Sequence, residues 1–263
     1  MTRGLSLRLE VFDDAEAAGA AAAEAVAAAL SSATRPVLGV ATGSSPEPLY
    51  RHLARTVTPG VFSDLEVFAL DEYVGIDPAH PESYHSVVDR TVSVPLGLDA
   101  ARVHVPDGSA PDPHAAAARY ERAIVAAGGI DVQILGIGGN GHLGFNEPGS
   151  PFDSETRVVQ LAAETRNANA RFFPKEDDVP THAITQGLAT IAAARSLVVI
   201  ATGEAKAAAV LAMSTGEISV DCPATLLRTH PRAAVFLDRA AARLIPSFEA
   251  PDLSERMVME FHP

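Results

Sequence analysis

Short apolar runs alternate along this chain with longer stretches whose apolar positions recur at helical spacing. The runs at 7–12, 37–41, 65–70, 103–105, 132–136, 197–201 and 233–237 predict strands. The stretches at 14–31, 46–57, 82–92, 114–127, 162–172 and 204–213 predict helices. Most of these strands lack polar alternation, so both of their faces must be covered, which predicts an α/β fold with a mostly parallel sheet between helices. No repeat, linker or composition break divides the chain, so one domain over 1–263 is expected. Ligands of such sheets bind at the carboxyl ends of the strands. The loops that follow strands are therefore where chemistry is expected.

With 263 residues the chain is long enough to bury one such core. Its net charge of −13 excludes nucleic acid and anionic membrane as partners, because phosphate surfaces attract basic proteins. An anionic ligand must then be held by a local cluster of donors. Cys222 is the only cysteine, so no intrachain disulfide forms and a cytoplasmic location is expected. Glu10, Asp13, Asp14 and Glu16 interrupt any apolar signal core after Arg3 and Arg8. Glu16 and Glu24 mark the alanine-rich run 15–30 as an amphipathic helix and not a membrane span.

Four loops stand out. Thr42, Gly43, Ser44 and Ser45 lie between a strand and a helix, with Ser45 suited to the N-cap and Pro46 to the first helical position. Free N–H groups and hydroxyls there would hold an anion; the alternative is a plain helix cap. Asp71 and Glu72 follow a buried strand, where acids need solvent, a partner or a function; a surface acid or a cap is the alternative. The run 136–148 is glycine-rich and carries Asn140, His142 and Glu147. Its Gly-x-Gly-x-x-Gly spacing formally matches a dinucleotide fingerprint, but Pro148, Gly149 and Pro151 stop the helix that motif requires. A sugar or phosphate pocket is expected instead. Lys206 sits in a helical first turn, where the dipole disfavours a cation unless an anion accompanies it; a solvated lysine is the alternative. Arg171 is a second candidate clamp.

Together these blocks resemble the glucosamine-6-phosphate deaminase family. The matching residues are Ala-Thr-Gly-Ser-Ser-Pro at 41–46, Leu-Asp-Glu-Tyr-Val-Gly at 70–75 and Pro-Glu-Ser-Tyr at 81–84. The glycine loop at 136–148, Arg-Phe-Phe at 171–173 and Gly-x-x-Lys at 203–206 complete the pattern. The resemblance implies a three-layer, Rossmann-like α/β/α sandwich with a lid around 162–181. It implies conversion of D-glucosamine 6-phosphate and water to D-fructose 6-phosphate and ammonia, with no cofactor and no metal. By position, Asp71 would be the base and His142 the ring-opening group, tuned by Glu147 and Asn140. Thr42, Gly43, Ser44, Ser45, Glu72, Arg171 and Lys206 would contact substrate, its phosphate above all. The family spans monomers to hexamers, so a homo-oligomer stays open.

Two departures matter. Some members carry aspartate where this chain has Asn140, so altered tuning of His142 is expected. Ser150 and Arg157 match an effector pocket of the allosteric members, but Val159 replaces a lysine, so little activation by N-acetylglucosamine 6-phosphate is expected. The rival readings are a galactosamine-6-phosphate deaminase, a 6-phosphogluconolactonase-like hydrolase, and a non-catalytic sugar-phosphate sensor. A divalent metal among Asp71, Glu72, His85, His142 and Glu147 is a further alternative, although no two of them sit at a familiar ligand spacing.

Overall fold

The computed structural model describes residues 7–57, 61–170, 173, 175, 178–246 and 257–261. The main sheet has eight strands: β1 (Leu7–Phe12), β2 (Val37–Val40), β3 (Glu66–Ala69), β5 (Val103–His104), β6 (Val132–Gly136), β9 (Ser196–Ala201), β10 (Ala233–Asp238) and β11 (Met257–Phe261). Their spatial order is β11-β1-β10-β9-β6-β2-β3-β5, and only β11 runs antiparallel to its neighbour. The expected α/β class and largely parallel sheet are both present.

Side chains of period two explain why the strands read as uniformly apolar. On β9, Leu197, Val199 and Ala201 enter one core, with Leu188, Ile191, Val210 and Met213 from helices on that side. Val198 and Ile200 enter the other core, with Val26, Leu30, Leu49 and Leu53 from the helices Ala15–Leu30 and Glu47–Thr56. The sheet is thus the middle of three layers.

A second, three-stranded antiparallel sheet was not evident from the sequence. It consists of β4 (Asp71–Tyr73), β7 (Arg157–Gln160) and β8 (His182–Thr185), in the order β4-β8-β7. It leaves the end of β3 through Leu70, whose N–H donates to Val40 O at 2.8 Å and whose carbonyl accepts from Gln186 N at 2.9 Å. The predicted helix at 82–92 begins as Tyr84–Val88 and widens into a π-helical turn at Asp89–Ser93. The predicted helix at 204–213 opens with a 3₁₀ turn, Glu204–Lys206, before Ala207–Thr215. No helix among the described residues is long and apolar enough to cross a membrane.

Candidate active site

Strands β9, β6, β2 and β3 are consecutive in the sheet, and the four loops singled out in the sequence leave their carboxyl ends. From β2 the chain moves outward to β3, whereas β6 leads on to β9 and β10 on the other side. The β2–β6 boundary is therefore a topological switch point, where an open α/β sheet forms a crevice. The loops also touch one another. A side chain built at Gly139 would have its Cβ 3.9 Å from Ala205 O, so the glycine loop abuts the turn that carries Lys206.

The two adjacent acids are separated by the pleat of β4, which points neighbouring side chains to opposite faces. Asp71 is 5% exposed and pairs in register with Thr185. Its Oδ2 would lie 3.2 Å from a Cβ at Gly144, so the glycine loop passes directly over it. Burial, followed by the neighbouring Glu72 charge, pushes the Asp71 carboxyl well above the ordinary range. Such a group is a strong base once ionised.

Glu72 points away, to the start of the helix Tyr84–Val88. Its carboxylate accepts from Tyr73 N at 2.8 Å, Tyr84 N at 3.0 Å and His85 N at 2.9 Å. Negative charge at a helix N-terminus is favourable, and these donors have no intrahelical acceptor. The geometry gives Glu72 a structural task, the anchoring of that helix start. Glu72→Ala should lower stability by about 3 kcal/mol, because buried donors lose a charged acceptor. Denaturant unfolding reads that loss, and activity per folded molecule should survive; unchanged stability with lost turnover would reassign Glu72 to the substrate.

His142 and Glu147 face each other across the glycine loop, with Nδ1 3.4 Å from Oε2. Asn140 Nδ2 donates to the same oxygen at 2.8 Å, and Asn140 Oδ1 accepts from His142 N at 3.2 Å. The other oxygen, Oε1, accepts from the Thr165 hydroxyl. Burial alone would raise the Glu147 pKa, but the facing His142 and the hydrogen bonds from Thr165 and Asn140 outweigh it and bring it to about 2. Glu147 is therefore anionic at any working pH. The His142 ring lies against Gly138, where any Cβ would come within 2.2 Å of it. Asn146 closes the turn between the two groups. Its Nδ2 donates to Leu143 O at 2.9 Å and Gln186 O at 2.8 Å, and its Oδ1 accepts from Arg157 Nη1 at 2.8 Å. Arg157 thus secures the loop, while Val159 packs against the cluster of Tyr73 and Phe145.

In the first loop, the helix begins at Glu47 with Pro46 at the N-cap, and no side chain caps it. The expectation that Ser45 is the cap is corrected; its hydroxyl does not cap the helix. Gly43 has φ +102°, the left-handed region that lets the loop turn tightly. The Thr42 side chain lies beside Tyr84, which joins this loop to the Asp71 side of the crevice. Lys206 ends the 3₁₀ turn and is half-buried beside the glycine loop. Arg171 lies outside the described residues. Among the described residues no three His, Cys, Asp or Glu side chains converge as metal ligands.

Comparison with known proteins decides the family. Residues 13–236 match the model for glucosamine-6-phosphate isomerases/6-phosphogluconolactonase. The chain belongs to that family. It is 50% identical over 225 residues to a glucosamine-6-phosphate deaminase of Pseudarthrobacter chlorophenolicus, covering 85% of this chain and 87% of the relative. It is 47% identical over 239 residues to one of Streptomyces coelicolor, covering 90% and 92%. A solved monomeric glucosamine-6-phosphate deaminase superposes with TM-score 0.86 at 38% identity, covering 90% of this chain and 99% of that one. The Trypanosoma cruzi 6-phosphogluconolactonase superposes at 0.76 with 18% identity, covering 92% and 98%, and so shares the fold.

Within this isomerase/lactonase family site, several contributors carry no local sequence signal. Thr165 is 18 positions from Glu147 in the chain. Thr185 accepts from Phe145 N at 3.2 Å across 40 positions. Both come from elements that pack over the crevice, and only tertiary structure brings them there.

Proposed function

We propose that this chain is a glucosamine-6-phosphate deaminase that converts D-glucosamine 6-phosphate and water to D-fructose 6-phosphate and ammonia. The observation that carries the chemistry is the division of labour in the crevice. A buried carboxyl of raised pKa, Asp71, lies under the glycine loop that also carries a histidine facing an anionic glutamate. Pairs whose environments push their titrations apart are suited to acid and base roles. The naming of relatives near 50% identity supports the substrate, whereas lactonase structures agree in fold alone.

The steps follow from these groups. His142 passes a proton from the anomeric hydroxyl to the ring oxygen, which opens the pyranose to the aldehyde. Asp71 removes the proton from C2, giving an enolamine, and returns it to C1, giving the 2-imine. Water adds at C2 and ammonia leaves, which yields the ketose. The substrate's own ammonium at C2 lies beside Asp71 and offsets the burial that holds the carboxyl neutral. The loop of Thr42, Gly43, Ser44 and Ser45, with Lys206 and Arg171, holds the phosphate. That binding energy, remote from the reacting carbons, positions C1 and C2. The single cysteine supports a cytosolic setting.

The test incubates the protein with glucosamine 6-phosphate and, separately, with galactosamine 6-phosphate. Ammonia and fructose 6-phosphate in equal amounts from the first sugar, with the second turned over poorly, are expected. No ammonia from either sugar with folded protein would overturn the assignment; preference for the second would change the substrate to its C4 epimer.

A further inference from the structure

We propose that Thr165 and Asn169 are positioning residues, through which the helix Ala163–Asn169 ties the phosphate loop to the Glu147 carboxylate. The inference deepens the deaminase reading and rests on it for the identity of the turnover step.

The two residues are four apart on a helix and so share one face. At one end, the Thr165 hydroxyl donates to Glu147 Oε1. At the other, Asn169 Nδ2 donates to Tyr73 Oη at 2.9 Å. The same phenol accepts from Tyr84 Oη at 3.3 Å, and the side chain of Thr42 in the phosphate loop lies beside Tyr84. A chain of side-chain contacts therefore runs Thr42–Tyr84–Tyr73–Asn169, hydrogen-bonded from Tyr84 onward, and the helix carries it on to Thr165 and Glu147. The tyrosines are held in place by packing. Their ring centroids are 4.8 Å apart, and Tyr84 stacks at 6.0 Å on Phe145 of the glycine loop. Burial pushes Tyr73 up to about 12 and Tyr84 well above its ordinary value, so both remain neutral donors and acceptors at working pH.

Glu147 shows what the arrangement does. His142 is the titratable group facing it, with Asn140 and Thr165 as neutral donors from the glycine loop and the helix. Thr165 is the donor to Oε1, opposite the oxygen that faces His142. It fixes the plane of the carboxylate, and hence the direction in which Oε2 meets the imidazole. Buried carboxylates lose a charged hydrogen bond at considerable cost. The sequence offers no hint of the link, since it depends on where one turn of helix is seated.

The experiment uses the whole chain and the near-isosteric Thr165→Val, with Thr165→Ser as the rescue. Carboxyl-carbon NMR titration without substrate should show the Glu147 pKa rising by about one unit in the valine variant and returning with serine. With glucosamine 6-phosphate, kcat should fall about tenfold with KM little changed, again recovered by serine. Asn169→Ala and Tyr73→Phe should each raise KM, and the double variant should do no more than either alone, since both cut one chain. A Glu147 titration and kcat at wild-type values in Thr165→Val, or no rescue by serine, would overturn the proposal. The titration is independent of the deaminase reading: a wild-type protein that turns over no amino-sugar phosphate sinks that reading, while the Glu147 shift still tests the positioning role.

Discussion

Asp71→Asn should abolish deamination, with kcat lowered by about 10⁴-fold, the upper end for a proton-transfer group, because one carboxylate serves both C2 and C1. The fold should persist. Asparagine is isosteric, and it removes an acid that burial disfavours in its charged form. The sign of the linkage makes this sharper. Asp71 in the folded protein has a pKa above its unfolded value, so its stabilising contribution is complete below the unfolded pKa. That contribution is lost as pH rises through the folded pKa. At neutral pH the neutral amide escapes that loss, and the variant should unfold at no lower denaturant concentration than wild type. The same raised pKa predicts that kcat/KM of wild type climbs as pH rises through it, since the base works only when ionised. An Asp71→Asn protein that is folded and still active would remove Asp71 from the chemistry altogether.

Gly138→Ala should lower kcat by about 10²-fold without contact with the substrate, the scale of an ångström-sized misplacement of a catalytic group. The Gly138 backbone is not in the left-handed region, so alanine strains nothing there. What alanine meets is the His142 ring, 2.2 Å from the new Cβ at its nearest atom. The imidazole must swing away, and it then leaves Glu147 Oε2, from which Nδ1 now stands 3.4 Å. Gly139→Ala is the internal control. Its Cβ would meet only Ala205 O, at 3.9 Å, an ordinary contact. Steady-state kinetics on the pair should separate them: a large kcat loss at 138 and a small one at 139. Equal effects would mean that the glycines serve backbone shape or phosphate contact, and that His142 is not seated by Gly138.

Both outcomes bear on what a glycine-rich motif conveys. The spacing at 136–141 resembles a dinucleotide fingerprint in one dimension. In three dimensions Gly138 makes room for an imidazole and Gly144 for a carboxylate. Prolines at 148 and 151 already argued against a nucleotide helix, but they could not say which atoms the missing side chains leave space for.

The sequence alone determined seven of the eight central strands and most of the helices around them, missing β11 and the short helix Leu188–Ala192, because a sheet buried on both faces requires unbroken apolar runs, and those are visible locally. It also determined that four chemistry-bearing loops follow strands. The tertiary structure decided the rest. The strand order β9-β6-β2-β3 brings those loops to one crevice, and no local pattern encodes strand order. The short strand β4 sends Asp71 and Glu72 to opposite faces, which two adjacent acids cannot announce. Thr165 and Thr185 reach the site from 18 and 40 positions away, through backbone paths whose closure depends on the packing of the whole molecule. Periodicity is a property of neighbours along the chain, and it fixes elements; a site is a property of neighbours in space, and it exists once those elements are packed.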